Sequence, residues 1–259
     1  MEGSANSDRL SNQPPPDLAA AERSDLLASH VVHEFDEVLV RTNLEGCYGL
    51  IIRQIYQRIL DDIPKARILD CGCGFGLFSH EASNLGFDIV SLDIDDQSIR
   101  IAQQLFGLRV RKESIYKTSL PDKSRDVAFF FDSIQHLELH HVLPELERLG
   151  VTTVVVYDSN VQNPFLKFYR AATQHEESHE YAPSCLIDTF EKGGFRLRHM
   201  RYDNLISLPL SGGLQRRPFP IIHRFPRTVL KIDSALSVLM RLVRLDRFLS
   251  FRFILYFDK

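Results

Sequence analysis

The stretch RILDCGCGFG, residues 67–76, decides the fold. The apolar pair Ile68-Leu69 is followed by Asp70. Three glycines come next, one at every second position, and an apolar stretch able to form a helix follows them. This order predicts a buried strand, a sharp turn and a helix. Glycine permits the unusual backbone of such a turn and lets a ligand lie against bare backbone, and the helix N-terminus offers free N–H groups. We therefore expect Gly72, Gly74 and Gly76 to bind a ligand.

The residues around the glycines discriminate between two kinds of ligand. Nicotinamide and flavin dinucleotides use G-x-G-x-x-G and place their pyrophosphate on the helix N-terminus. Here Leu77 stands where the third glycine of that pattern would fall, and Asp70 precedes the turn. A carboxylate at this place repels a pyrophosphate and attracts a ligand that carries an ammonium group. S-adenosylmethionine (SAM) carries both an ammonium and a sulfonium, so Asp70 favours SAM and disfavours an NAD-dependent enzyme.

A second carboxylate supports the same ligand. Residues 87–92 alternate in polarity toward a second strand, and that strand ends at Asp93. An ionised Asp only accepts hydrogen bonds and can take both hydroxyls of a ribose. Asp93 lies about 20 residues after the first glycine, which is the spacing of a ribose-binding acid. We therefore expect Asp93 to bind the ribose of the cofactor.

Three segments together resemble a known family. ILDCGCGFG, VSLDIDDQSIRIA and LPDKSRDVAFFFDSIQHL, in this order, look like the class I SAM-dependent methyltransferases and, more narrowly, like their small-molecule group. The resemblance covers residues 66–200 and, more loosely, the closing FRFILYFDK. It implies SAM as the cofactor. It also implies that further cofactor contacts come from Ile94, Ser114, Ile115 and Asp132.

The alternation of segments predicts an α/β fold. We expect a Rossmann-like, doubly wound, seven-stranded and mainly parallel sheet with helices on both faces. In the family that the chain resembles, the last strand lies antiparallel beside the sixth. The predicted strands lie near 67–70, 88–93, 109–113, 127–131, 152–157, 195–203 and 251–258. Two helices are predicted within 31–62, the second of them near 48–60, and further helices near 77–85, 96–106, 141–149 and 184–193.

The two ends of the chain differ from this core. Residues 1–30 are rich in Ser, Asn, Pro and Asp and are predicted to be a disordered tail, which leaves 31–259 as the methyltransferase domain. A helical insertion, 204–250, precedes the last strand and contains a predicted helix near 229–249. Residues 201–259 carry 11 Lys or Arg against 4 Asp or Glu. A basic amphipathic helix can cover a substrate as a lid or lie on an anionic membrane, and both interpretations stay open.

Three residues are candidates for acid–base chemistry. His136 and Asp158 follow the fourth and end the fifth predicted strand, at the edge where open α/β sheets bind ligands. For each, a structural role in a turn is the alternative. His175 to His179 match the zinc-protease pattern H-E-x-x-H, but they lie in a linker after the fifth strand, so we predict no metal site. His179 is kept as a candidate base that faces the acceptor.

Composition excludes several classes. The net charge of −3 argues against a nucleic-acid-binding protein. The four cysteines show no disulfide framework, and there is no signal segment and no apolar run of about 18 residues. We therefore expect a cytoplasmic protein without an obligate protein partner, with peripheral membrane contact through 229–249 left open.

These observations predict a SAM-dependent methyltransferase that acts on a small acceptor, which the basic insertion suggests is apolar or lipid-linked. O-methylation is weakly preferred, because several histidines and acids lie at one edge of the predicted sheet. The alternative is a non-catalytic SAM-binding or interaction protein with the same fold.

Overall fold

The computed structural model of the chain describes residues 35–173 and 181–259. Within these residues one sheet contains the strands β1 (Arg67–Cys71), β2 (Asp88–Asp93), β3 (Val110–Lys112), β4 (Val127–Phe131), β5 (Thr153–Ser159), β6 (Arg196–Asp203) and β7 (Arg252–Asp258). Their order across the sheet is β3-β2-β1-β4-β5-β7-β6. β1 to β5 are parallel, and β7 is antiparallel to both β5 and β6. The predicted seven-stranded, mainly parallel sheet is confirmed.

Helices connect the strands and cover both faces of the sheet. The helices are α1 (Glu37–Glu45), α2 (Cys47–Asp61), α3 (Leu77–Asn84), α4 (Asp96–Phe106), α5 (Leu139–Arg148), α6 (Pro164–Thr173), α7 (Pro183–Lys192), α8 (Ser207–Ser211), α9 (Pro220–Arg224), α10 (Pro226–Leu242) and α11 (Asp246–Leu249). Most boundaries lie within two residues of the prediction. The helix α6 and the short helices α8 and α9 were not predicted from the sequence.

Two apolar cores lie on opposite faces of the sheet. On one face, α2 and α3 pack against alternate residues of the central strands, such as Phe129 and Tyr157. On the other face, α5 and α7 pack against the intervening residues, such as Phe130 and Val156. Strands that are covered on both faces need apolar residues at successive positions, which explains the continuous runs in β4 and β5.

The insertion between β6 and β7 is partly built into the first core. Leu208, Ile222 and Val229 are buried there. The Asp233 carboxylate on α10 accepts hydrogen bonds from the backbone N–H groups of Leu205 (3.0 Å) and Ile206 (2.8 Å). These contacts fix α10 to the loop that follows β6.

The prediction of one helix near 229–249 is wrong. α10 begins and ends earlier, and a turn separates it from α11. Arg244 has a φ of 58°, the N–H of Leu245 bonds the carbonyl of Met240, and the N–H of Arg244 bonds that of Arg241. This pair of bonds ends a helix, usually with glycine at the left-handed position. Because arginine occupies that position here, no glycine in the sequence signals the stop.

Some predicted features lie outside the described residues. These are the predicted tail, 1–30, and the segment 174–180, which contains His175 and His179. Within the described ranges, no helix is long and apolar enough to cross a membrane.

Candidate cofactor and acceptor site

The turn after β1 has the backbone that its glycines predict. Gly72, Gly74 and Gly76 have φ values of 74°, 52° and 78°, which residues other than glycine rarely adopt. A Cβ atom at Gly72 would lie 2.8 Å from the Cβ of Ser133, and one at Gly76 would lie 2.5 Å from a methyl carbon of Leu108. These two glycines therefore permit close packing within the protein.

Gly74 differs from the other two glycines of the turn. Apart from Gly74 itself and its chain neighbours Cys73 and Phe75, no described residue has an atom within 4 Å of the position that its Cβ would occupy, so this glycine faces open space. The turn leads into α3, whose first turn is not capped by a side chain. Open space beside a bare backbone and a helix N-terminus is the arrangement that accommodates a ligand.

Asp93 lies directly beside this space. Its Oδ2 atom accepts a hydrogen bond from the N–H of Gly74 (2.7 Å). Its Oδ1 atom accepts from the N–H groups of Ile94 (2.8 Å) and Asp95 (2.9 Å). Burial raises the pKa of Asp93, and these three hydrogen bonds oppose that shift. The carboxylate thus joins the glycine turn to the end of β2, as a ribose-binding acid at this place would.

Asp70 lies beneath the turn rather than in the open space. Its side chain is 1% exposed, and its Oδ2 atom accepts a hydrogen bond from the hydroxyl of Ser79 (2.6 Å), which also pairs with the hydroxyl of Ser91 (2.6 Å). Burial raises the pKa of Asp70 to about 7, with a further contribution from the charge of Asp93. Because the Asp70 carboxyl is buried, it would act on a ligand in the open space only through its charge and through the shape of the turn.

The other residues predicted to contact the cofactor surround the same edge of the sheet. Ile94 is half-buried after β2, and its backbone is held by Asp93. Ser114 follows β3 and accepts a hydrogen bond from the N–H of Tyr116 (3.3 Å), while Ile115 is buried in the second core. These positions place the loop after β3 beside the loops after β1 and β2.

Asp132 is the centre of a side-chain cluster that was not predicted from the sequence. It follows β4 with a φ of 49°, and its carboxylate forms an ion pair with Arg252 (2.5 Å), the first residue of β7. Arg252 also donates to the hydroxyl of Ser159, and its guanidinium lies 5.6 Å from the ring centre of Tyr157. Burial and the charge of Asp132 raise the pKa of the buried Tyr48 phenol. A partly buried ion pair and two buried tyrosines thus lie together at the end of β4.

The candidate bases fall into two groups. His136 ends a short 3₁₀ turn after β4, and Asp158 lies near the end of β5, so the structure brings both to the edge that holds Asp132. Asp158 is 4% exposed, and its Oδ1 atom accepts from the N–H of Ser159 (2.5 Å). His179 lies outside the described residues. The described part of the chain also holds no group of three or more His, Cys, Asp or Glu residues placed to bind a metal.

Comparison with known proteins agrees with this geometry. Residues 69–151 match a family described as a methyltransferase domain. A ubiquinone biosynthesis O-methyltransferase of Xanthomonas oryzae is 29% identical over 85 residues, which are 32% of this chain and 35% of that protein. A magnesium-protoporphyrin O-methyltransferase of Rhodobacter capsulatus is 31% identical over 100 residues, which are 37% of this chain and 45% of that protein.

These matches support a class I SAM-dependent methyltransferase. A solved SAM-dependent methyltransferase from Archaeoglobus fulgidus has the same fold, with a TM-score of 0.57, 20% identity, and coverage of 81% of this chain and 93% of that one. The matches to the two O-methyltransferases span less than half of the length of each. A solved geranyl diphosphate methyltransferase in complex with SAM shares this fold, with a TM-score of 0.55, 11% identity, and coverage of 80% of this chain and 81% of that one. The open space at Gly74 beside the Asp93 carboxylate fits SAM.

The predicted cofactor residues come from the methyltransferase motifs, whereas two residues of the cluster around Asp132 lie outside these motifs. Arg252 and Tyr48 lie far from the motifs in sequence and reach Asp132 only through the fold. One sequence feature could have predicted that Arg252 lies near Asp132. Because β7 is antiparallel, its first residue lies at the edge where the parallel strands end.

Proposed function

We propose that the protein transfers a methyl group from SAM to an oxygen atom of a small acceptor, which is apolar or lipid-linked. The observation that carries this proposal is the turn in which Gly74 faces open space beside the carboxylate of Asp93. The O-methyltransferase names of both curated relatives support oxygen as the methylated atom. When bound, SAM supplies an activated methyl group.

The residues of this chain would bind and align the reactants. Asp93, Asp132 and the glycine turn would hold the cofactor, and Arg252 and Tyr48, which lie beside Asp132, would border the acceptor. Alignment of two reactants is worth about 7–11 kcal/mol of the barrier. A base that removes the proton of an acceptor hydroxyl adds about 10²–10⁴-fold, and we propose His136, Asp158 and His179 for that role.

We also propose that 229–249 contacts a membrane peripherally, with a small-molecule acceptor and without nucleic acid or an obligate protein partner. A cytoplasmic location and a domain that comprises 31–259, with 1–30 as a tail, complete the proposal. Apolar and basic residues exposed on α10 support the membrane contact.

Ligand binding and methyl tracing test the methyltransferase proposal. Calorimetry should show that the purified chain binds SAM and S-adenosylhomocysteine but not NAD. Incubation with SAM that carries a labelled methyl group, together with a lipid extract of cells, should then label a small extractable molecule. Binding of SAM without any labelled product, in aqueous and lipid extracts alike, would favour the non-catalytic alternative.

The role of His136 has its own test. If His136 is the base, His136→Ala should lower turnover by about 10²-fold or more with little change in SAM affinity, because the base acts only on the acceptor. His140→Ala is the matched control, since His140 is an exposed histidine on α5. A loss below tenfold in a folded His136→Ala variant would assign His136 a structural role.

A further inference from the structure

Apolar side chains are exposed on one part of this molecule far more than elsewhere. Among the described residues, fourteen large apolar side chains are exposed, and all except Val38 and Leu85 lie in α6 or within 219–248. We call these twelve residues the insertion surface. They are Phe165, Phe168, Phe219, Ile221, Phe225, Ile232, Val238, Leu239, Leu242, Val243, Leu245 and Phe248.

The helix α10 shows that this exposure is not the ordinary scatter of surface residues. Its inward face, with Val229 and Asp233, is buried against the domain. Its outward face carries Val238, Leu239 and Leu242, which are 57%, 49% and 77% exposed. A helix that packs on its own domain needs only one apolar face. The second apolar face therefore requires another explanation.

The charges beside this face select the occupant. Residues 219–248 contain six Lys or Arg and two Asp, and one of these two, Asp233, is buried. Arg241, Arg244 and Arg247 are exposed among the apolar residues. A second copy of the chain would bring these like charges together. An anionic bilayer would instead attract the cations and accept the apolar side chains.

We propose that the insertion surface is a docking site for an anionic membrane and that the acceptor reaches the site from that membrane. The second half of this inference rests on the proposed methyltransferase function. The docking surface is wider than the predicted segment 229–249, because α6 and α9 contribute to it. α6 packs against α11 and so adds Phe165 and Phe168 to the same surface.

Hydrogen bonds connect the insertion surface to the edge of the sheet at Asp132, where the acceptor is expected. The side-chain amide of Asn160 donates to the carbonyls of Arg247 (2.8 Å) and Ser250 (2.8 Å), and that of Asn163 donates to Leu249 (2.8 Å). Both asparagines follow β5. Arg252 comes two residues after Ser250 and bonds Asp132. A membrane bound at α11 therefore lies beside the edge at which the acceptor is expected.

Co-sedimentation with vesicles tests the docking site. The full chain should sediment with vesicles of phosphatidylcholine and phosphatidylglycerol at low salt, and less with phosphatidylcholine alone. Binding should decrease at about 1 M salt, where the screening length falls to about 3 Å. The triple substitution Arg241/Arg244/Arg247→Glu should weaken binding at least about tenfold, because each cation near an anionic surface contributes to affinity. Leu239/Leu242/Val243→Ser should weaken binding as well.

The matched control is the double substitution Val38→Ser and Leu85→Ser, which removes exposed apolar residues outside the insertion surface. It should bind vesicles like the wild type. The inference is overturned if the wild type stays in the supernatant with anionic vesicles at low salt, or if the control loses as much binding as the test variants. It is also overturned if the lipid-free chain forms a dimer that Leu239/Leu242/Val243→Ser dissociates.

Binding of S-adenosylhomocysteine, measured by calorimetry on every variant, separates the two proposals. It confirms that each variant is folded and does not depend on lipid. A chain that binds this ligand but no vesicles retains the proposed function and loses the docking site. A chain that binds vesicles but neither SAM nor S-adenosylhomocysteine retains the docking site and loses the methyltransferase proposal.

Discussion

The glycine turn and the insertion surface contrast in what they leave uncovered. In the turn, bare backbone and one carboxylate border a space that no described side chain enters. On the insertion surface, apolar side chains extend outward and no described residue buries them. The first arrangement has fixed geometry and suits one small polar molecule. The insertion surface is extended and charged, which suits a membrane surface rather than a small ligand.

The largest effect that tests this contrast comes from two glycines of the turn. Gly76→Ala should lower the free energy of unfolding by about 2–4 kcal/mol, since the left-handed backbone and the contact with Leu108 both oppose a Cβ. Gly74→Ala meets no atom and should cost about 1–2 kcal/mol, from the backbone alone. It should nevertheless weaken S-adenosylhomocysteine binding at least tenfold. Urea unfolding measures the free energy of unfolding of both variants, and calorimetry measures their affinity for S-adenosylhomocysteine. Equal affinity in Gly74→Ala and wild type would show that the open space at Gly74 is not the cofactor site.

Asp70 should reveal a stability cost that depends on pH. Its pKa is raised to about 7 in the folded chain, from an ordinary value of 3.8, so the folded state holds its proton where the unfolded state has lost it. Stability contributed by the protonated group is therefore lost as pH rises from about 4 through about 7. At pH 8, urea unfolding of Asp70→Asn should give a free energy of unfolding about 2–4 kcal/mol higher than that of wild type. At pH 4, the two free energies of unfolding should be nearly equal. A gain that is constant across this range would contradict the assignment.

Asp93 should affect the ligand more than the fold. Asp93→Ala should weaken SAM binding by about 1.5–3 kcal/mol, the scale of hydrogen bonds to a charged group. Asp95→Ala is a useful control, because Asp95 lies on the same loop but caps α4 through the N–H of Ser98 (2.7 Å). Calorimetry should show a smaller loss of SAM affinity for Asp95→Ala. Unchanged affinity in Asp93→Ala would remove this residue from the ribose site.

The smallest effect is expected on the insertion surface. Leu242→Ser should change the free energy of unfolding by less than about 0.5 kcal/mol, because its side chain is 77% exposed and the folded chain gains little from it. Val229→Ala on the buried face of the same helix should cost more than about 1 kcal/mol. Thermal or urea unfolding compares them. A large loss in Leu242→Ser would show that another part of the chain covers this face.

The sequence predicted the turn well because its chemistry is local. Three glycines, Asp70 and Asp93 follow each other at fixed spacing, and each strand ends where its apolar run ends. The ion pair of Asp132 and Arg252 could not be predicted in this way, since it depends on where β7 enters the sheet. The stop of α10 was missed because Arg244 occupies a position that glycine usually marks. Hydrophobic periodicity alone could not separate the buried face of α10 from the exposed one.

The place of β7 has a consequence for how the chain folds during synthesis. β7 is the last strand in sequence, yet it lies between β5 and β6 and forms hydrogen bonds with both. Until the ribosome has released residues 252–258, β5 has one open edge and β6 has no partner in the sheet. Open edges of this kind can pair with other chains. The edge of β5 therefore stays open to pairing with other chains until β7 has been synthesised, which happens only after the whole insertion.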